Sequence, residues 1–175
     1  MRFFVLNTTP KKFVLSKLSL GRLEGVNPAL VKVVKRAIEI TQQDFLVVEG
    51  VRSKEQCYIN YGKGRTAAQC IAKGVPASYA QPKLAKVTWL NNPLDSKHVT
   101  GKAVDLVPYP VDWNDLSKFD QVAKAMFAAA KELGVSIRWV QTGTMMGITV
   151  KKVNMIHLIL NFKEDFECLL KFKIS

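Results

Sequence analysis

Histidine is scarce in this chain: there are two, His98 and His157, among 175 residues. Acidic residues are also few, 14 against 26 Lys and Arg, which leaves a formal charge of +12. The three cysteines, Cys57, Cys70 and Cys168, are an odd count with no C-x-x-C pair. A disulfide framework and a cysteine zinc knuckle are therefore excluded, and the thiols are expected to be core or incidental. No apolar run approaches the roughly 20 residues that cross a bilayer. Phe3-Phe4-Val5-Leu6 is too short for a signal-peptide core and is broken by Asn7 to Lys12, so synthesis and folding in the cytoplasm are expected, with no membrane insertion. Internal repeats and low-complexity segments are missing too.

What is present is a hydrophobic fraction of 48%, enough for one domain with a real core. The excess positive charge favours an anionic partner: nucleic acid, an acidic membrane surface or the bacterial cell wall. Nucleic acid is set aside, because no helix-turn-helix, RNP or zinc-finger pattern occurs.

The basic residues 1–25 show no clear period. Asn27 and Pro28 have the form of a helix cap and first turn, followed by Leu30, Val31, Val33, Val34, Ala37, Ile38 and Ile40 at helical spacing. Phe45–Val48 predicts a short buried strand, and Ser53 to about Tyr61 a second helix. Residues 62–95 carry no sustained period and predict a long loop of the kind that lines a site. Val104–Val107 predicts a strand, Leu116–Leu133 a helix stopped by Gly134, and Val135–Trp139 a last clear strand.

The chemistry concentrates in Ser96-Lys97-His98-Val99-Thr100-Gly101-Lys102-Ala103-Val104-Asp105. Imidazole nitrogen and carboxylate oxygen are both good Zn²⁺ ligands. A tight turn at Gly101 and a small Ala103 would let His98 and Asp105 face one metal. On spacing alone the pair is equally readable as a surface His and a strand-end Asp.

The full pattern S-x-H-x-x-G-x-A-x-D resembles the zinc signature of the D-Ala-D-Ala carboxypeptidase/dipeptidase superfamily, and in particular the phage endolysins that act as L-alanyl-D-glutamate peptidases. Leu18–Pro28, Val48-Glu49-Gly50-Val51-Arg52-Ser53 and Lys131–Val135 are similar to further blocks of that family, so the likeness spans roughly residues 14–139. It implies an α+β domain of the hedgehog/D-Ala-D-Ala peptidase kind, with helices flanking a small antiparallel sheet and a zinc site at the sheet edge. It also implies Zn²⁺ as cofactor, a peptidoglycan stem peptide as substrate, and a monomer that waits in the cytoplasm before release to the host wall. By position, His98 and Asp105 would be zinc ligands, Ser96 would orient a ligand, and Arg52 would face the substrate carbonyl. Glu49 is read as structural rather than catalytic. D-Ala-D-Ala carboxypeptidase chemistry in the same fold, or a non-catalytic wall-binding remnant, are the alternatives.

The family's third ligand and general base come from a late D-x-P-H motif, preceded by W-G-x-D-W. In this chain the only later histidine is His157, and Asn154 stands three residues before it. Asn cannot accept the proton of a zinc-bound water. His157 is either a third ligand of a site lacking its base or an incidental histidine in the apolar strand Met155–Leu160. Back-translation with degenerate codons favours the second. One extra G after the Trp139 codon lets the codons of Val140–Gly147 read Gly-Ala-Asp-Trp-Asp-Asp-Asp-Gly. The same shift lets Met155–Phe162 read Tyr-Asp-Ser-Pro-His-Phe-Glu-Phe. Residues 1–139 are thus expected to be the peptidase domain, and 140–175 its C-terminal part translated out of frame. Such a tail is expected to remove a core strand and leave little activity.

Overall fold

A computed structural model describes residues 12–142 and 155–160, with side chains through Trp139 and at Ile159. Five helices and four strands follow in chain order. They are α1 (Lys17–Arg22), α2 (Pro28–Ile40), β1 (Phe45–Glu49), α3 (Lys54–Gly62), α4 (Ala67–Ile71), β2 (Ala103–Pro108), α5 (Leu116–Glu132), β3 (Ile137–Thr142) and β4 (Met155–Leu160). The fold is α+β, as the motifs imply. None of the described helices is long and apolar enough to cross a membrane.

Helix α2 starts where its cap dictates: Asn27 Oδ1 accepts from the Ala29 amide at 2.9 Å, with Pro28 in the first turn. Its apolar stripe, Leu30, Val33, Val34, Ala37 and Ile38, is buried. The stripe packs on the matching face of α5, where Phe119, Val122, Met126, Ala129 and Ala130 lie. Helix α5 ends at Leu133, and Gly134 follows at φ +66, the left-handed turn that glycine adopts without strain. Both helices cover the sheet face formed by Phe45, Val47, Val104 and Leu106.

The four strands run in the order β1-β2-β4-β3, every neighbouring pair antiparallel. Between β1 and β2 the register shifts after Val47, so that Glu49, not Val48, stands opposite Asp105. On its other side Asp105 stands opposite His157 of β4. One extra residue in a strand thus puts Glu49, Asp105 and His157 in a single row across three strands.

The expectation of a lost strand differs from this sheet. Met155–Leu160 pairs with both β2 and β3, and Ile159 is buried. An apolar run of β-prone residues fills an interior slot whatever frame encoded it. Helix α1 lies in the basic N-terminal region where no period was visible. It has six residues, with Ser16 Oγ accepting from the Ser19 amide. The 62–95 segment is also more ordered than a plain loop. It holds α4, whose Thr66 and Gln69 form a reciprocal capping box. A satellite core of Tyr61, Cys70 and Val75 anchors it. Cys57 and Cys70 are buried free thiols, as expected; Cys168 lies outside the described residues.

Candidate metal centre

His98 sits on the turn that feeds β2, and Asp105 in the middle of that strand. The turn closes through Gly101, at φ +64, where a Cβ would lie 2.5 Å from the Gly25 carbonyl oxygen. The Gly101 carbonyl in turn accepts from the Asn27 amide at 2.8 Å, which ties the turn to the start of α2. Ala103 is fully buried beneath it. The local sequence therefore turns back on itself and brings His98 Nε2 within 3.5 Å of Asp105 Oδ2. Both residues are buried, 1% and 6% exposed, which removes the surface-histidine reading.

The other imidazole nitrogen is committed. His98 Nδ1 lies 2.6 Å from the Gly50 carbonyl, and a carbonyl only accepts, so Nδ1 carries the proton. This is the arrangement that fixes the tautomer of a metal-binding histidine and turns Nε2 toward the metal. The Arg52 amide closes the brace from the other side by donating to the His98 carbonyl at 3.2 Å. Gly50 has no room for a side chain, since a Cβ there would lie 1.9 Å from the Arg22 carbonyl oxygen.

Glu49 completes the group. One ligand atom each from Glu49, His98 and Asp105 all lie within 4.8 Å of one another. Its carboxylate also holds Arg52 bidentately: Nε donates to Oε1 at 2.7 Å, and Nη2 donates to Oε2. That pairing, foremost, raises the Arg52 guanidinium above its ordinary pKa, against desolvation, with Asp105 adding to it. Two carboxylates outnumber the one guanidinium in a largely buried place, with an imidazole nitrogen beside them. A divalent cation fits that charge and that nitrogen and oxygen donor set.

Sequence reasoning left Glu49 as a purely structural residue. The bulge places it opposite Asp105, and a one-residue register shift leaves no trace in periodicity. Ser96 touches Arg52: its Oγ accepts from Nη1 at 3.4 Å. The orienting contact to His98 comes from Gly50. His157 holds the register position opposite Asp105, while its side chain and all of Asn154 lie outside the described residues.

Arg52 also forms one end of a cleft of about 270 Å³. Asn60, Lys63, Val87, Leu90 and Pro93 line it with Arg52. Cys57 borders it too; burial pushes its thiol up from the ordinary value against the opposing pull of Arg52, so it stays protonated and a poor nucleophile.

Known proteins are similar to this chain. The chain is 38% identical over 130 residues to the L-alanyl-D-glutamate peptidase of Escherichia phage T5, a match that covers 73% of this chain and 79% of that one. The crystal structure of the Serratia marcescens L-Ala D-Glu endopeptidase ChiX superposes with a TM-score of 0.54 at 27% identity, covering 87% of this chain and 92% of the other. The family model for phage L-alanyl-D-glutamate peptidases matches residues 11–78 and 71–150. With His98, Glu49 and Asp105 gathered beside Arg52 on the matched stretch, the chain belongs to the phage L-alanyl-D-glutamate peptidase family.

Proposed function

We propose that this domain is built to hydrolyse the L-alanyl-D-glutamate bond of the peptidoglycan stem peptide in the host wall, with Zn²⁺ held by His98 and Asp105. The observation that carries the reading is the buried His98–Asp105 pair, 3.5 Å apart, with Nδ1 locked on Gly50. Zinc, when bound, polarises the scissile carbonyl and acidifies its water. Arg52 lies beside that group and faces the cleft, where its guanidinium stabilises oxyanion charge on the substrate. Glu49 keeps Arg52 in place, and Ser96 supports it from the other side. The basic surface favours an anionic wall.

The proposal extends to the reading frame. Two protein ligands rarely hold zinc stably. On this reading the third ligand would be encoded one nucleotide out of phase across Leu158 and Ile159, and the general base across Met155 and Ile156. The indole N–H of Trp139, the last residue before the slip, is buried with no acceptor among the described residues. Such an orphan costs about 1–3 kcal/mol. The polypeptide as written, with Asn154 and His157 in place of the base and third ligand, is expected to be a weak or inactive peptidase.

The test compares two chains on purified peptidoglycan with added zinc: this one, and one with a single base inserted after the Trp139 codon. The expected result is new glutamate amino termini from the restored chain and almost none from the written one. Hydrolysis by the written chain would make His157 a working ligand and end the frame proposal. Silence from both would end the peptidase reading. Release of terminal D-alanine instead would move the assignment to carboxypeptidase chemistry in the same fold.

A further inference from the structure

The cleft beside Arg52 contains a second cation that the metal centre does not use. Lys63 caps the C-terminal end of α3 and is half-buried. Its Nζ reaches only Asn60 Oδ1, at 3.5 Å, and among the described residues no carboxylate lies within ion-pair distance of it. Arg52, at the other end of the same helix, is by contrast satisfied by Glu49. A lysine on the wall of a partly enclosed cleft, without an acid, is a site for an anion.

The cleft sets which anion. Arg52 and Lys63 line one cleft of about 270 Å³, so a carboxylate on the residue next to a bond held at Arg52 and the metal group falls within reach of the long Lys63 side chain. A glutamate within a peptide keeps one carboxylate free. Val87, Leu90 and Pro93, which also line the cleft, offer apolar contact to a small side chain such as alanine.

We propose that Lys63 is a specificity residue that pairs with the free carboxylate of the glutamate flanking the scissile bond and rejects its carboxamide. This rests on the peptidase reading above and deepens it. Arg65 keeps the far wall in register. It is 6% exposed, lies 3.9 Å from the Tyr61 ring centroid, and donates to the Tyr61 and Thr88 carbonyls at 2.6 Å each. The 62–95 segment, unassigned from sequence, is on this view the substrate-selecting wall.

The test is equilibrium binding, which needs no turnover. The full chain is titrated by calorimetry, without added zinc, with two synthetic stem peptides that differ only in a free carboxylate or a carboxamide on the D-glutamyl residue; mass spectrometry checks that they stay intact. The free acid is expected to bind about tenfold more tightly, the worth of one charge-assisted hydrogen bond. Lys63→Gln is expected to erase that preference by weakening the acid alone, and Lys63→Arg to keep it. Equal binding of both peptides, or a preference that survives Lys63→Gln, overturns the role of Lys63 and leaves the peptidase reading standing. Binding of neither peptide overturns both.

Discussion

The metal end and the cleft end of the site are built by different means. His98, Glu49 and Asp105 belong to the sheet and its feeding turn, and the main core of α2, α5 and the strands lies directly beneath. Their positions follow from strand register and two hydrogen bonds between residues 50–52 and His98, one made by its ring and one accepted by its carbonyl. The 62–95 wall has only a satellite core, and a buried arginine ties it together by reaching two carbonyls. Groups that must converge on one atom stand on rigid elements, whereas groups that select among substrates stand on a segment free to vary.

The comparison can be broken most severely at Gly50. Gly50→Ala would drive a methyl into the Arg22 carbonyl and disturb the acceptor that orients His98. A loss of about 3 kcal/mol in urea unfolding is expected, together with weakened metal binding. Asp105→Asn should keep the fold yet lower zinc affinity by on the order of 100-fold, measured by competition with a chromophoric chelator. Arg65→Met acts on the cleft end alone. It leaves the Tyr61 and Thr88 carbonyls without their donor, so amide exchange across 62–95 should speed up by the equivalent of about 2 kcal/mol, with zinc affinity unchanged. A drop in zinc affinity there would show the two ends to be one unit. The smallest effect is expected from Glu49→Gln. If Glu49 chiefly holds Arg52, zinc affinity falls only by about threefold, through lost charge; a fall as large as that of Asp105→Asn would make Glu49 a ligand in its own right.

How legible these features were depended on the length of the signal. Helices α2 and α5 carried long apolar stripes with Asn27 and Gly134 as punctuation, and the His98–Asp105 motif fixed the turn and β2 together. Helices α1 and α4, with 6 and 5 residues, are too short to show a period; the Thr66 and Gln69 capping box was the one available sign of α4. Met155–Leu160 was readable as an apolar strand, but its slot between β2 and β3 was not, because pairing order is a long-range property. Glu49 escaped for a related reason. The bulge that turns it toward Asp105 exists only once β1 and β2 are paired.

The strand order also sets a schedule for the molecule during synthesis. β4 is the last of the described strands to be made, yet it lies inside the sheet between β2 and β3. Until residue 160 has left the ribosome, β2 and β3 each present an open edge, and the row through Asp105 has neighbours on one side only. At about 5–20 residues per second of elongation, the nascent chain spends seconds with two open edges. A chain released before β4 is made therefore keeps Glu49, His98 and Asp105 together on β1, β2 and the feeding turn, but leaves their sheet unclosed beside Asp105.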